Sequence, residues 1–218
     1  RRSDFQHLLV RQEKGFVILT MNRPEALNAL NALMLHEPTE ATASAAQDET
    51  IRCVVINGAG RAFGAGQDLN GFSTIHASGE PVKVSEHLTK YHRLIQLFQE
   101  MPKPVIAAVH GVAAGISCNL ALACDMRIAT TNARFVEAFA RIGLVPDGGG
   151  AFFLPRLIGL GKALEMALLA DEIENRENRL VRRAAQPAPE LLEEHGRALG
   201  WPEEEQGVDV RDVQSLVE

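Results

Sequence analysis

Residues 51–57 read IRCVVIN and run into the glycine-rich stretch GAGRAFGAGQDLN at 58–70; residues 105–109 read VIAAV and run into HGVAAG at 110–115. The first run is short, bounded and rich in β-branched residues, the pattern of a buried strand. The second has the same character. After each glycine turn comes a helical stretch, 82–100 in the first case and 116–124 (ISCNLALAC) in the second. Pro102 and Pro104 close the former, since proline cannot continue a helix. Strand, glycine turn and helix thus occur twice in succession, which predicts an α/β architecture.

Working outward, 7–10 and 15–21 are apolar runs separated by Gln12-Glu13-Lys14-Gly15, a charged turn ending in the residue that tolerates positive φ. They predict a hairpin. Residues 31–48 follow as a mostly helical stretch in which Pro38 requires a kink or a restart. On the other side, 127–130 and 134–136 read as short strands around a turn at Asn132. Beyond the loop at 146–150, residues 151–157 and 161–170 read as helices. After Asp171 the chain becomes rich in Glu and Arg, with a Gln186-Pro187-Ala188-Pro189 break. The organisation expected is a core over 1–172 and a divergent or incomplete helical tail over 173–218.

The chain has 218 residues, 46% hydrophobic and 23% charged, enough to bury a full core. A net charge of −6 without a dense Lys/Arg face argues against a nucleic-acid partner. Cys53, Cys118 and Cys124 form neither a disulfide framework nor a metal-ligand spacing, so buried thiols and no metal are expected. No run of about 18 apolar residues is present to span a bilayer, and residues 1–6 lack the apolar core of a signal peptide. A cytoplasmic protein without a membrane partner is the expectation.

Three tempting motifs fail on inspection. The glycines at 58–64 follow a strand, but the third stands one place late for a dinucleotide fingerprint and no helix opens there. Gly159-Leu160-Gly161-Lys162 lacks the first glycine and the hydroxyl of a P-loop and reads as a helix start. Gly115-Ile116-Ser117-Cys118-Asn119 lacks the last glycine of a nucleophile elbow. What survives is the pair of glycine turns itself: two turns, each leaving a strand, whose free N–H groups can converge on one anion and form an oxyanion hole.

Five blocks of residues then carry a family resemblance. Residues 22–30 (NRPEALNAL), 62–69 (AFGAGQDL), 103–115 (KPVIAAVHGVAAG), 121–125 (ALACD) and 141–149 (RIGLVPDGG) resemble, in order and spacing, the signatures of the crotonase (enoyl-CoA hydratase/isomerase) superfamily. The match covers roughly residues 5–172. The resemblance implies a spiral of ββα units, assembly as a homotrimer or a dimer of trimers, and an acyl-CoA thioester substrate, coenzyme A being part of that substrate rather than a separate cofactor. It implies substrate contacts at Ala26, Leu27, Ala65, Gly66, Gln67, Asp68, Leu69, Gly115, Asn119 and Phe139. The thioester oxygen would be held by the backbone N–H groups of Gln67 and Ile116.

Departures from the family pattern point to the reaction. The positions matching the two hydratase glutamates are Asn119 and Phe139, neither of which can perform general acid–base work. Asp147 stands where isomerases and aromatic dehalogenases of the superfamily have an aspartate. The dehalogenase pocket also needs a tryptophan and a histidine, and those positions read Phe139 and Gln96, with His92 a turn away. Asn119, the run ending at Asp147 and Phe-Leu-Pro-Arg-Leu at 153–157 resemble an isomerase branch acting on ring-epoxidised phenylacetyl thioesters. The expectation is therefore an isomerase with Asp147 as its carboxylate. The bland alternative for Asp147 is a helix cap. For Asp68 a cap on the following segment is expected, for His110 a structural role, and for Glu137 an ion pair with Arg141 one helical turn away. A catalytically silent acyl-CoA-binding homologue and a hydratase working with Asp147 alone are the competing functions.

Overall fold

The computed structural model describes residues 5–69, 84–174 and 182–183. A hairpin of β1 (Leu8–Glu13) and β2 (Phe16–Met21) begins it, closed by Lys14-Gly15 with Gly15 at φ 89°. Helix α1 (Ala32–Gln47) follows, capped by the Asn31 side chain, which accepts from the Met34 N–H. Pro38 lies buried inside this helix, which continues through it from Ala32 to Gln47.

The remainder winds as three turns. In each, a strand of a six-stranded sheet is followed by a three-residue strand of a four-stranded sheet: β3 (Cys53–Gly58) then β4 (Ala62–Gly64), β5 (Val105–Val109) then β6 (Val112–Ala114), β7 (Met126–Ala129) then β8 (Arg134–Val136). Helix α2 (Val84–Glu100) follows the first pair and α3 (Ile116–Ala123) the second. After the third come a 3-10 helix (Ala138–Ile142), α4 (Gly150–Ile158) and α5 (Leu160–Leu169). The large sheet runs β1-β2-β3-β5-β7-β10, the small one β4-β6-β8-β9, with β9 at Ile173–Glu174 and β10 at Arg182–Arg183. Strands β2, β3, β5 and β7 are mutually parallel, and β3 and β5 are buried throughout on both faces. Val54 and Ile56 face the larger core and Cys53 and Val55 the smaller.

The ββα spiral read from the sequence is thus present, but two details differ. The stretches 58–70 and 111–115 are not pure loops, since each contains a short strand. The strands at 126–129 and 134–136 flank a turn yet belong to different sheets, so they are no hairpin. In the expected tail, residues 173–174 and 182–183 are strand. The segment 70–83 and the break at 186–189 lie outside the described residues.

Candidate active site

Two loops meet at the centre of the molecule. The first leaves β4 as Ala65-Gly66-Gln67-Asp68-Leu69 and is tied to the segment 27–30: Ala65 N–H donates to Leu27 O (2.9 Å), Leu30 N–H to Gly66 O (2.7 Å) and Asp68 N–H to Leu30 O (3.1 Å). Gly66 N–H donates to Ser117 Oγ at 3.1 Å. Every amide around Gln67 is therefore occupied, whereas the Gln67 N–H has no partner among the described residues. The second loop leaves β6 through Gly115 (φ 52°), which caps α3, so the Ile116 N–H is the first of the unfilled donors of a helix N-terminus.

Glycine brings the loops together. Gly66 holds φ 92°, and a Cβ there would stand 2.9 Å from Ala114 O; a Cβ on Gly64 would stand 2.5 Å from Ser117 Oγ. Only residues without side chains let the backbones approach this closely. The segment before them is equally constrained. Leu27 and Asn28 both adopt left-handed backbone angles (φ 49° and 55°), held by the buried Asn28 side chain, whose Oδ1 accepts from Arg23 N–H and whose Nδ2 donates to Ala59 O and Ala62 O. Ala26 ends the short 3-10 turn Pro24–Ala26 just before it.

The third component is the turn before α4. Asp147 is half-buried, and its Oδ1 is sealed from solvent with no hydrogen-bond partner among the described residues. It caps nothing with its side chain, because the cap of α4 is Gly149. Its main-chain oxygen accepts from Asn119 Nδ2 at 2.9 Å. Ile116 packs its side-chain end onto Gly148, where an added Cβ would overlap it, and Ile95 of α2 lies close by. Phe139 is buried, its ring about 4 Å from where a Gly115 Cβ would be. Ile116, Asn119 and Asp147 thus line one locality, with Phe139 beside Gly115 and the loop that carries Gln67 approaching Ala114 and Gly115 through Gly66.

Burial pushes the Asp147 carboxyl above its usual range, partly offset by the charge of His92 and by its own backbone N–H. Tyr91, on the buried face of α2, is pushed up to about 12 by burial and then by the charge of Asp147. Glu137 is 0% exposed and pushed up to about 8, first by burial.

One expected role needs correction. Glu137 makes no pair with Arg141: the segment is a 3-10 helix, Glu137 points inward, and Arg141 donates to Ala170 O at 2.6 Å. The Asp68 carboxylate is taken by Arg23 at 2.9 Å, and the segment that it was expected to cap lies outside the described residues. Leu69 is exposed. His110 is structural, its Nε2 bound to Gly60 O at 2.7 Å and its basicity lowered by burial. Burial raises all three thiols, none of which is exposed. Sequence reasoning missed Ser117, Tyr91 and Glu137. For Tyr91 a signal existed, since Tyr91, Leu94, Ile95 and Phe98 follow helical spacing and are all buried.

A parallel ββα spiral whose two glycine-bearing loops meet, with a half-buried carboxylate beside the second, has the crotonase form. Residues 11–197 match the family described as Enoyl-CoA hydratase/isomerase, and the chain belongs to that family. Among its relatives, the 1,2-epoxyphenylacetyl-CoA isomerase of Escherichia coli is 42% identical over 169 residues, 77% of this chain and 64% of that protein. A probable enoyl-CoA hydratase of Rhodobacter capsulatus is also 42% identical, over 85% of this chain and 70% of its own length. The crystal structure of an enoyl-CoA hydratase from a Polaromonas species superposes with a TM-score of 0.77 at 36% identity, covering 88% of this chain and 76% of that one. The chain thus spans about two thirds of the length of the relatives it matches. No helix among the described residues is long and apolar enough to cross a membrane.

Proposed function

We propose that this protein isomerises an acyl-CoA thioester through an enolate, with ring-1,2-epoxyphenylacetyl-CoA or a 3-enoyl-CoA as substrate. The observation that carries the reading is the half-buried Asp147 carboxyl, its Oδ1 sealed from solvent without a partner among the described residues, held next to Ile116 and Asn119. With a 3-enoyl-CoA, Asp147 takes a proton from the carbon next to the thioester. The electron pair moves onto the thioester oxygen, where the Gln67 and Ile116 N–H groups receive the charge. The same proton returns two carbons further on, shifting the double bond with no net redox change. One such donor is typically worth about 2.7–4 kcal/mol of barrier. The oxyanion chemistry needs no metal or separate cofactor, coenzyme A being the substrate's own carrier.

A hydratase mechanism with two glutamates is not favoured, because an amide (Asn119) and a buried phenyl ring (Phe139) stand at those positions. Self-assembly, as a trimer or a pair of trimers, is supported by apolar side chains left exposed along one region, among them Val145, Phe152, Leu164, Leu168 and Leu169. Light scattering on the purified chain tests it, and a monomer at micromolar concentration would exclude it.

The functional test is turnover of 3-enoyl-CoA, crotonyl-CoA and freshly generated epoxyphenylacetyl-CoA, followed by mass spectrometry in the wild type and Asp147→Asn. Isomerisation that disappears in the variant while acyl-CoA still binds supports the reading. Binding without turnover in the wild type identifies a silent binder, and hydration of crotonyl-CoA well above background identifies a hydratase.

A further inference from the structure

The proposed reaction leaves a second buried carboxyl, Glu137, without a task. It follows β8, is 0% exposed, and neither of its oxygens makes a hydrogen bond of good geometry among the described residues, the Cys118 thiol and the Asn119 amide being the polar groups beside it. Facing it are Cys118 and Asn119 from α3, and the charge that acts on it is that of Asp147, from the turn before α4. A carboxylate there would be a buried charge with no cation acting on it among the described residues and only the weak Cys118 and Asn119 contacts to hold it, an unfavourable arrangement in a protein interior. The same cluster holds a third oxygen without a donor, Asn119 Oδ1. A proton on Glu137 removes the charge and supplies the donor that the cluster lacks.

We infer that Glu137 is held as the neutral acid and serves as a positioning residue for Asp147. It backs Asn119, whose amide fixes the Asp147 main chain, and by remaining uncharged it keeps a second negative charge away from the forming enolate. Geometry and electrostatics agree, since burial pushes Glu137 up to about 8, with the Asp147 charge adding to that and the Cys118 and Asn119 contacts opposing it. Above that range the proton leaves to solvent, and a second carboxylate stands beside Asp147 and the oxyanion. Proton abstraction from the thioester then slows, because both the enolate and its approach are disfavoured. The kinetic half of this inference rests on the isomerase reading; the protonation half does not.

The test has two readouts. Infrared difference spectra of the substrate-free protein, recorded from about pH 6 to about pH 10 against Glu137→Gln, should show a protonated-carboxyl band that disappears near pH 8 and is absent in the variant. Asn119→Ala should move that disappearance to higher pH, because a contact that favours the charged form is gone; this arm stands if Glu137→Gln does not fold. In kinetics with 3-enoyl-CoA, each protein is normalised to its own rate near neutral pH. The wild type should lose about tenfold in kcat/KM per unit above pH 8, and Glu137→Gln should lack this decline. A carboxyl already ionised at about pH 6, or an alkaline decline equal in both proteins, overturns the inference. Absence of turnover with the infrared band present would sink the isomerase reading and leave the neutral Glu137 standing.

Discussion

Asn119 gives its side-chain N–H to the main-chain oxygen of Asp147 at 2.9 Å, so the helix that opens at Ile116 also sets the turn that carries the carboxylate. The Ile116 amide and the Asp147 carboxyl, the two groups proposed to act on one substrate, are thereby fixed relative to each other through one buried side chain. An amide that cannot move a proton therefore still has a mechanical role, and effective catalysis depends on such positioning.

Replacing Asn119 by Ala should lower kcat by roughly 10- to 100-fold with a smaller change in KM, since the turn shifts while the expected acyl-CoA contacts other than Asn119 itself remain. Stability should fall by about 1–3 kcal/mol from the broken buried hydrogen bond. Steady-state kinetics and urea melts check both. An unchanged kcat would show that the turn holds its place without this bond.

As the proposed base, Asp147 must be ionised to act, so kcat/KM should rise with pH through its ionisation, and burial sets that rise above the ordinary range for an aspartate. The positive form of His92 works in the opposite direction, favouring the carboxylate. Removing it in His92→Gln should shift the acid limb to higher pH without altering the plateau. A limb that stays in place, or moves to lower pH, would detach His92 from Asp147.

Gly66→Ala should be among the most damaging single changes that leave the core untouched. Its backbone sits at φ 92°, and the new Cβ meets the Ala114 carbonyl at 2.9 Å, a main-chain atom that cannot swing aside. The two amide-bearing loops must separate. A misplacement of about 1 Å in such a site typically costs about 10²-fold in rate, so activity should fall by that order while the far-ultraviolet circular dichroism is retained. Activity within threefold of the wild type would argue against convergence of these two amides.

The α/β alternation and the strand at Val105–Val109 were readable because fully buried parallel strands leave an unbroken apolar run. The three-residue strands β4 and β6 were not, since neither shows a period and both lie among glycines. Asp147 was legible from a motif resemblance, but its freedom from a capping role depended on backbone angles at Gly148 and Gly149 that no pattern reveals. Glu137 was misread for a related reason. A helix would have put it over Arg141, and the tighter 3-10 winding turns it toward the core instead. Pro38, awkward for a helix on propensity alone, shows tertiary packing prevailing over local preference: it is buried, and its neighbour Glu37 accepts the Gln6 and His7 amides at 2.8 and 2.7 Å.

Glu137 also predicts how stability depends on pH. Below about pH 4.5 its carboxyl is protonated in both the folded and unfolded chain, so it contributes no slope. Between there and about pH 8 the unfolded chain has released the proton and the folded chain retains it; the folded state binds more protons, and stability falls as pH rises. Above about pH 8 both are ionised and the slope ends. Glu137→Gln lacks this titration, so relative to the wild type it should gain stability steadily across that window, by an amount on the order of a few kcal/mol in total. Urea unfolding of both proteins at a series of pH values gives the difference directly. A difference that is flat from pH 5 to 8 would mean that Glu137 is ionised in the folded protein, and the buried cluster around Asn119 would then need another source for its missing donor.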